Sequence, residues 1–210
     1  MQSFLSGALS REDYLRDRDE QADFVQRALD LAGDHAVFEI GSGEGVVVAR
    51  LAPLVWSVTC VDISEAFLRR ARATCDGISN VEFLRTDNGH LAELRRSGFD
   101  RGYSWNVFIH LDAYQVYHYL CGVARALRPD GLFAFNYITM GDQTRSLFHT
   151  FAGACPTCGS DRLLGFLRWY EPALMISLAH EAGLVPVAQY GVGGSQVMTL
   201  QLPAGTGDDD

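Results

Sequence analysis

The sequence predicts an α/β fold: a doubly wound, mostly parallel sheet whose last strand pair is antiparallel, with helices on both faces. An N-terminal helical cap and an insertion after the fifth strand complete it. Three observations carry that reading. The apolar run Val37-Phe38-Glu39-Ile40 opens into a turn with glycine at 41, 43 and 45, followed by an apolar helical segment. Short apolar runs and helical patterns then alternate, with turn residues between them, which is the rhythm of parallel strands covered on both sides. Near the end, two runs joined through Gly191-Val192-Gly193-Gly194 carry hairpin chemistry, so an antiparallel pair closes the sheet.

Residues 1–33 read as helical, because Leu15, Phe24, Val25, Ala28, Leu29 and Leu31 recur among acids and arginines and Gly33 ends the pattern. Ser10, followed by Glu12 and Asp13, supplies an N-cap and an acidic first turn. This cap packs over a sheet edge; its alternative role is a lid that carries Tyr14 over a site. Strand 1 falls at about 35–40, with its helix at about 44–53. Strand 2 is 56–62 and its helix 64–75; strand 3 is 81–84, with a short helix near 89–97. Strand 4 is about 101–107, followed by a helix at 112–127 and strand 5 at 132–139. A helix at 172–182 and strands at 184–190 and 195–202 finish the domain. The core domain is thus 34–139 and 171–203, with 140–170 as an insertion or lid and 204–210 as a disordered acidic tail.

With 210 residues, 48% hydrophobic and 20% charged, the chain fits one globular domain with appendages. No apolar run reaches the roughly 20 residues that span a bilayer. The first residues lack the basic flank and apolar core of a signal peptide, so a cytoplasmic location is expected, with no membrane partner. The net charge of −9 disfavours nucleic acid as a partner. Five cysteines with scattered Cys60, Cys75 and Cys121 do not suggest a disulfide framework. Cys155-Pro156-Thr157-Cys158 reads either as half a zinc site, with His149 as a third ligand, or as a reduced loop-borne pair; the second is preferred and no metal is expected. His90, His118 and His180 fall on predicted helices as surface or packing residues.

Four strand ends converge, and ligands of such sheets bind beyond the carboxyl ends of the strands. Glu39 and the glycines end strand 1, and Asp62 ends strand 2. Thr86-Asp87-Asn88 follows strand 3, and Ser104-Trp105-Asn106 lies near the end of strand 4. A carboxylate at the end of strand 2 suits the two hydroxyls of a ribose, because it accepts two hydrogen bonds. Asp87 suits the exocyclic amine of a base, and Ile63 and Trp105 can supply apolar faces around a purine. The glycine spacing is not the G-x-G-x-x-G that cradles a pyrophosphate, and acids at 39 and 44 oppose one. They suit a cofactor that carries an ammonium and a sulfonium.

These residues resemble the class I S-adenosylmethionine-dependent methyltransferases over about 34–202. The resemblance rests on 38–45, on Val61-Asp62-Ile63-Ser64, on Thr86-Asp87-Asn88, on Phe99-Asp100 leading to Val107-Phe108-Ile109-His110-Leu111, and on the 127–132 turn. It implies a seven-stranded sheet and S-adenosylmethionine as cofactor. It also implies roles: Glu39, Gly41, Ser42, Gly43 and Gly45 at the methionine portion, Asp62 at the ribose, Ile63, Asp87 and Asn88 at the adenine, with Ser104 and Trp105 close by. His110 is the candidate general base, since it follows strand 4 and imidazole titrates near neutrality; its other role is to orient the next helix. Asn106 is a candidate for orienting an acceptor or for satisfying backbone, and Tyr137, near the end of strand 5, is a candidate at the same pocket, in catalysis or as a wall. The family's Asn/Asp-Pro-Pro-Tyr/Phe signature is absent at strand 4, which argues against exocyclic DNA amines or glutamine. The expected acceptor is an oxygen or nitrogen of a small metabolite. Aromatics in the cap and insertion (Phe4, Tyr14, Phe148, Phe151, Phe166, Trp169, Tyr170) suit an organic substrate or, equally, a homodimer interface. The alternatives are a protein or RNA methyltransferase, a cofactor-binding scaffold that does not methylate, and, more distantly, a nicotinamide-dependent oxidoreductase.

Overall fold

The computed structural model describes residues 10–87, 89–154, 167–192 and 194–205. Helix α1 (Arg11–Ala28) is followed by β1 (Ala36–Ile40), α2 (Val46–Leu51), β2 (Ser57–Asp62), α3 (Glu65–Thr74), β3 (Val81–Arg85) and β4 (Phe99–Ser104). Then come α4 (Ala113–Ala126), β5 (Leu127–Ile138), α5 (Asp142–Ala154), α6 (Pro172–Glu181), β6 (Val185–Val192) and β7 (Ser195–Gln201). The seven strands lie in the order β3-β2-β1-β4-β5-β7-β6. β1 through β5 pair in parallel, and β7 runs antiparallel to both β5 and β6. The fold is therefore the seven-stranded sheet that the sequence predicts, with its reversal at β1, between β2 and β4.

Alternation along the strands divides the core in two, since successive side chains point to opposite faces. Val37, Val58, Cys60 and Tyr103 pack with Val47, Val48 and Leu51 of α2 and with Val25 of α1. Phe38, Phe99, Phe133, Phe135 and Tyr137 face the other way, against Val116, Leu120 and Val123 of α4 and Met175 of α6. α1 starts where expected, with the Ser10 hydroxyl accepting from the Asp13 amide at 3.1 Å. It is tied to the body by an Arg50–Asp19 ion pair of 2.8 Å and by an Arg101 side chain that donates to the Leu29 carbonyl at 2.7 Å.

Three local expectations are corrected. The segment 89–97 is a run of turns, not a helix: Leu91 and Ser97 take positive φ of 50° and 44°. Leu91 and Leu94 are instead buried plugs, and their carbonyls are taken by the Arg125 guanidinium. β4 stops at Ser104, because Asn106 turns the chain with φ of 60°. β5 begins at Leu127, pairing with Phe99, five residues before the expected start. The segment after β5 opens with α5, and beyond 166 the chain returns to the body, with the Tyr170 amide on the Ile138 carbonyl (2.8 Å) and the Arg168 amide on the Ile109 carbonyl (2.7 Å). Cys155 and Cys158 lie outside the described residues. Among the described residues, no helix is long and apolar enough to cross a membrane, and no group of three or more His, Cys, Asp and Glu side chains could hold a metal ion.

Candidate functional site

A cleft of about 450 Å³ opens at the carboxyl ends of β1, β2 and β4, under α1. Its floor is the glycine turn. The Gly41 amide donates to the Val61 carbonyl and the Gly45 amide to the Ser42 carbonyl, both at 2.8 Å, which folds the turn tightly back before α2 starts. Gly41 has φ of 82°, and a Cβ there would lie 2.2 Å from Cγ2 of Val107. Gly41→Ala is accordingly expected to cost about 2 kcal/mol of stability, from left-handed strain and overpacking, read as a lower denaturant midpoint at unchanged slope. Gly45 has φ of 77° and lets α2 close on α3, where a Cβ would meet Cα of Ala71 at 2.9 Å. It supports the turn from below and does not line the cleft.

Asp62 ends β2, next to β1 where the strand order reverses, and is 7% exposed. One carboxylate oxygen accepts from the Ser64 amide at 2.8 Å and the other from the Gly43 amide at 3.3 Å. Burial raises its pKa, and these backbone donors pull against that rise. Each oxygen retains lone-pair capacity for a ligand. Ile63 and Phe67 expose apolar surface beside it.

Glu39 lies deeper, 3% exposed. The Cys60 thiol donates to its carboxylate at 3.7 Å, and the Tyr103 phenol lies beside it without hydrogen-bond geometry. Burial pushes the Glu39 pKa up to about 8, against the lowering influence of Cys60, Tyr103 and the Arg18 charge; Asp62 adds to the rise.

The remaining expected residues divide. Ser42, Gly43, Trp105, Asn106 and His110 line the cleft. Trp105 packs against Phe24 of α1 with ring centroids 5.5 Å apart. It follows β4, so β1 separates it from Ile63, and the two stand at opposite ends of the cleft. Ser104 is fully buried and donates to the Ile40 carbonyl at 2.9 Å, stitching β4 to β1. Asp87 points to solvent in a 3.1 Å ion pair with Arg85, outside the cleft. Tyr137 is not brought to the cleft either: it is buried in the core, its hydroxyl accepting from the Gln189 side-chain amide at 3.0 Å. Asn88 lies outside the described residues.

The structure adds Arg18 and Gln21, which the sequence reading missed; they enter the cleft from α1 beside Tyr14, the residue of the alternative lid reading. Arg18 stacks over the Tyr14 ring, 5.1 Å from its centroid, and pairs with Asp17 at 2.7 Å. Yet Nε of Arg18, Oε1 of Gln21 and Oγ of Ser42 are buried without a hydrogen-bond partner. Native proteins rarely bury unpaired polar atoms, and three lining one cleft mark a place for a polar ligand. Their spacing (14, 18, 21 and then buried Val25) is one helical face, so a stripe that mixes polar with core residues was the available signal.

Residues 37–131 match a family model described as "Methyltransferase domain". No curated protein is recognisably similar to the chain in sequence. Among solved structures, the chain resembles one from the complex of the Haloferax volcanii Trm112 methyltransferase activator with a methyltransferase: 15% identity and a TM-score of 0.73, over 90% of this chain and 94% of that one. It resembles the magnesium protoporphyrin IX methyltransferase ChlM of Synechocystis PCC 6803, solved with bound S-adenosylhomocysteine, at 15% identity and a TM-score of 0.67, over 93% and 89%. It also resembles the 4+2 cyclase SpnF, at 15% identity and a TM-score of 0.71, over 89% and 81%. The domain match runs from the glycine turn through the strands that lead to Asp62 and His110, so residues 37–131 carry a methyltransferase domain on a sheet whose fold these solved structures share.

Proposed function

We propose that the chain methylates an oxygen or nitrogen of a small organic molecule. The observation that carries this reading is the covered cleft: α1 roofs it through Tyr14, Arg18 and Gln21, which leaves room for a compact acceptor beside His110 and Leu111. A net charge of −9 gives no reason to expect an RNA acceptor.

The residues present fit the cofactor. The unpaired atoms of Arg18, Gln21 and Ser42 offer donors and an acceptor for an amino-acid end, and Glu39 offers a carboxylate to its positive charge. Asp62 would hold the ribose, Ile63 and Phe67 would face the adenine, and Asp87 would accept from its amine once the ion pair with Arg85 opens. S-adenosylmethionine supplies an electrophilic methyl group. The chain's own work is then to align the acceptor and take its proton. Asn106 and His110 stand on the lining where an acceptor would approach, with a His110 ring nitrogen as the proton's destination. Tyr137 has no part in this scheme.

A second reading has support in the same geometry. His110 is exposed, and SpnF shows by its name that this fold also hosts a cyclase. A protein that binds the cofactor without transferring its methyl would use the same cleft.

Incubation with S-adenosylmethionine and a panel of small phenols, carboxylic acids and amines separates the two. Acceptor-dependent release of S-adenosylhomocysteine is expected for at least one class. Tight cofactor binding with no release across the panel would favour the second reading. In the same assay, Arg18→Ala is expected to weaken S-adenosylhomocysteine binding about tenfold, as the loss of one charge-assisted hydrogen bond.

A further inference from the structure

The turn after β4 carries three cleft-lining residues, Trp105, Asn106 and Val107, and leads directly into the short helical turn Phe108–His110. It begins with a conformation that an asparagine adopts only at a cost, φ of 60° at Asn106. What holds it is a single buried side chain on the neighbouring strand. Asn136 of β5 is 1% exposed. Its Oδ1 accepts from the Asn106 amide at 2.6 Å, and its Nδ2 donates to Oδ1 of Asn106 at 2.9 Å. The two bonds close a ring between the side chain of Asn136 and both the backbone and the side chain of Asn106. A primary amide on a one-carbon stem offers the donor and the acceptor on separate atoms of one planar group, as this ring requires.

We infer that Asn136 is the positioning residue of this methyltransferase: its clamp on Asn106 holds the left-handed turn that sets Trp105, Val107 and His110 against the bound cofactor. The consequence for the cleft is direct, because Val107 Cγ2 occupies the space that a Cβ at Gly41 would need. A turn that relaxed at Asn106 would withdraw Val107 from the glycine turn and open the floor of the site. The effect on ligand binding rests on the assignment of the cleft to S-adenosylmethionine; the effect on the turn does not.

Amide hydrogen exchange, resolved by residue, tests the clamp without any ligand. In Asn136→Leu the amides of 105–110 are expected to exchange at least about tenfold faster than in the wild type, while Phe133, Phe135 and Met198 of the surrounding sheet keep their rates. Titration with S-adenosylhomocysteine should show affinity falling about tenfold. Adding Asn106→Gly, whose backbone takes φ of 60° unaided, should recover much of that affinity, which a role in sheet packing alone would not allow. Asn136→Ser, too short to reach both atoms, is the second variant should leucine prevent folding, with the same expected pattern. Unchanged exchange at 105–110, equal acceleration throughout the sheet, or no recovery by the glycine would each overturn the proposal. A wild-type protein that ignores S-adenosylhomocysteine would sink the cofactor assignment while the exchange measurement still decides the clamp.

Discussion

Exchange of Asp62 for alanine is expected to weaken S-adenosylmethionine binding by roughly two to three orders of magnitude. Two hydrogen bonds to a charged acceptor, each worth about 1.5–2 kcal/mol net, account for that loss in the ribose contact alone. The carboxylate also accepts from the Gly43 and Ser64 amides, so its removal unpins the glycine turn and the approach to α3 at once. Asp62→Asn separates the two contributions. An amide keeps one oxygen for a backbone donor but turns an NH2 toward the other donor and carries no charge, so it should lose nearly as much affinity with less harm to the fold. Calorimetric titration of both variants, beside their thermal midpoints, is the check. Affinity within threefold of wild type for Asp62→Ala would mean that the ribose lies elsewhere.

That prediction was legible in the sequence, and the reason is geometric. A strand of alternating or continuous apolar residues that ends in an acid declares where its carboxyl end lies, and parallel sheets bind ligands there. Glu39, Asp62 and the glycine turn needed no more than that. Trp105 shows the limit. Its place just after β4 was readable, but which side of β1 holds β4 is a matter of strand order, which local patterns do not encode; only the assembled sheet separates it from Ile63. Arg18 and Gln21 were legible only as a mixed stripe on one face of α1, for a related reason. Helix α1 reaches the cleft through distant contacts, Phe24 on Trp105 and Asp19 with Arg50, and no residue near α1 in sequence reports them. The segment 89–97 misled because Leu91 and Leu94 stand three apart, as on a helix, when each is a separate plug held by Arg125. Tyr137 was placed correctly on β5 but assigned to the wrong environment: its ring lies on the core side with Phe133 and Phe135.

Cofactor binding is expected to expel a proton from Glu39, and apparent affinity should therefore rise with pH until about 8. Burial favours the neutral carboxyl against the opposing pull of the neighbouring thiol and phenol, and moves its pKa from an ordinary 4.5 to about 8. The sign follows from proton counting. Between those two values the folded protein binds a proton that the unfolded chain has released, so folding stability is greatest below 4.5 and falls as pH rises, by at most about 1.4 kcal/mol per unit. Above 8 both states are ionised and the dependence ends. A ligand that brings an ammonium and a sulfonium reverses the preference, because positive charge in a poorly solvated cleft favours the carboxylate. Binding then lowers the Glu39 pKa and releases a fraction of a proton at neutral pH. Titrations of S-adenosylmethionine in two buffers of different ionisation enthalpy measure that release directly. Glu39→Gln, which keeps shape and burial but cannot ionise, should abolish the release, flatten the fall of stability between pH 5 and 8, and weaken binding most at the alkaline end. Equal proton release by the glutamine variant would assign the linkage to another group, with Asp62, the other buried acid of the cleft, the next to be replaced.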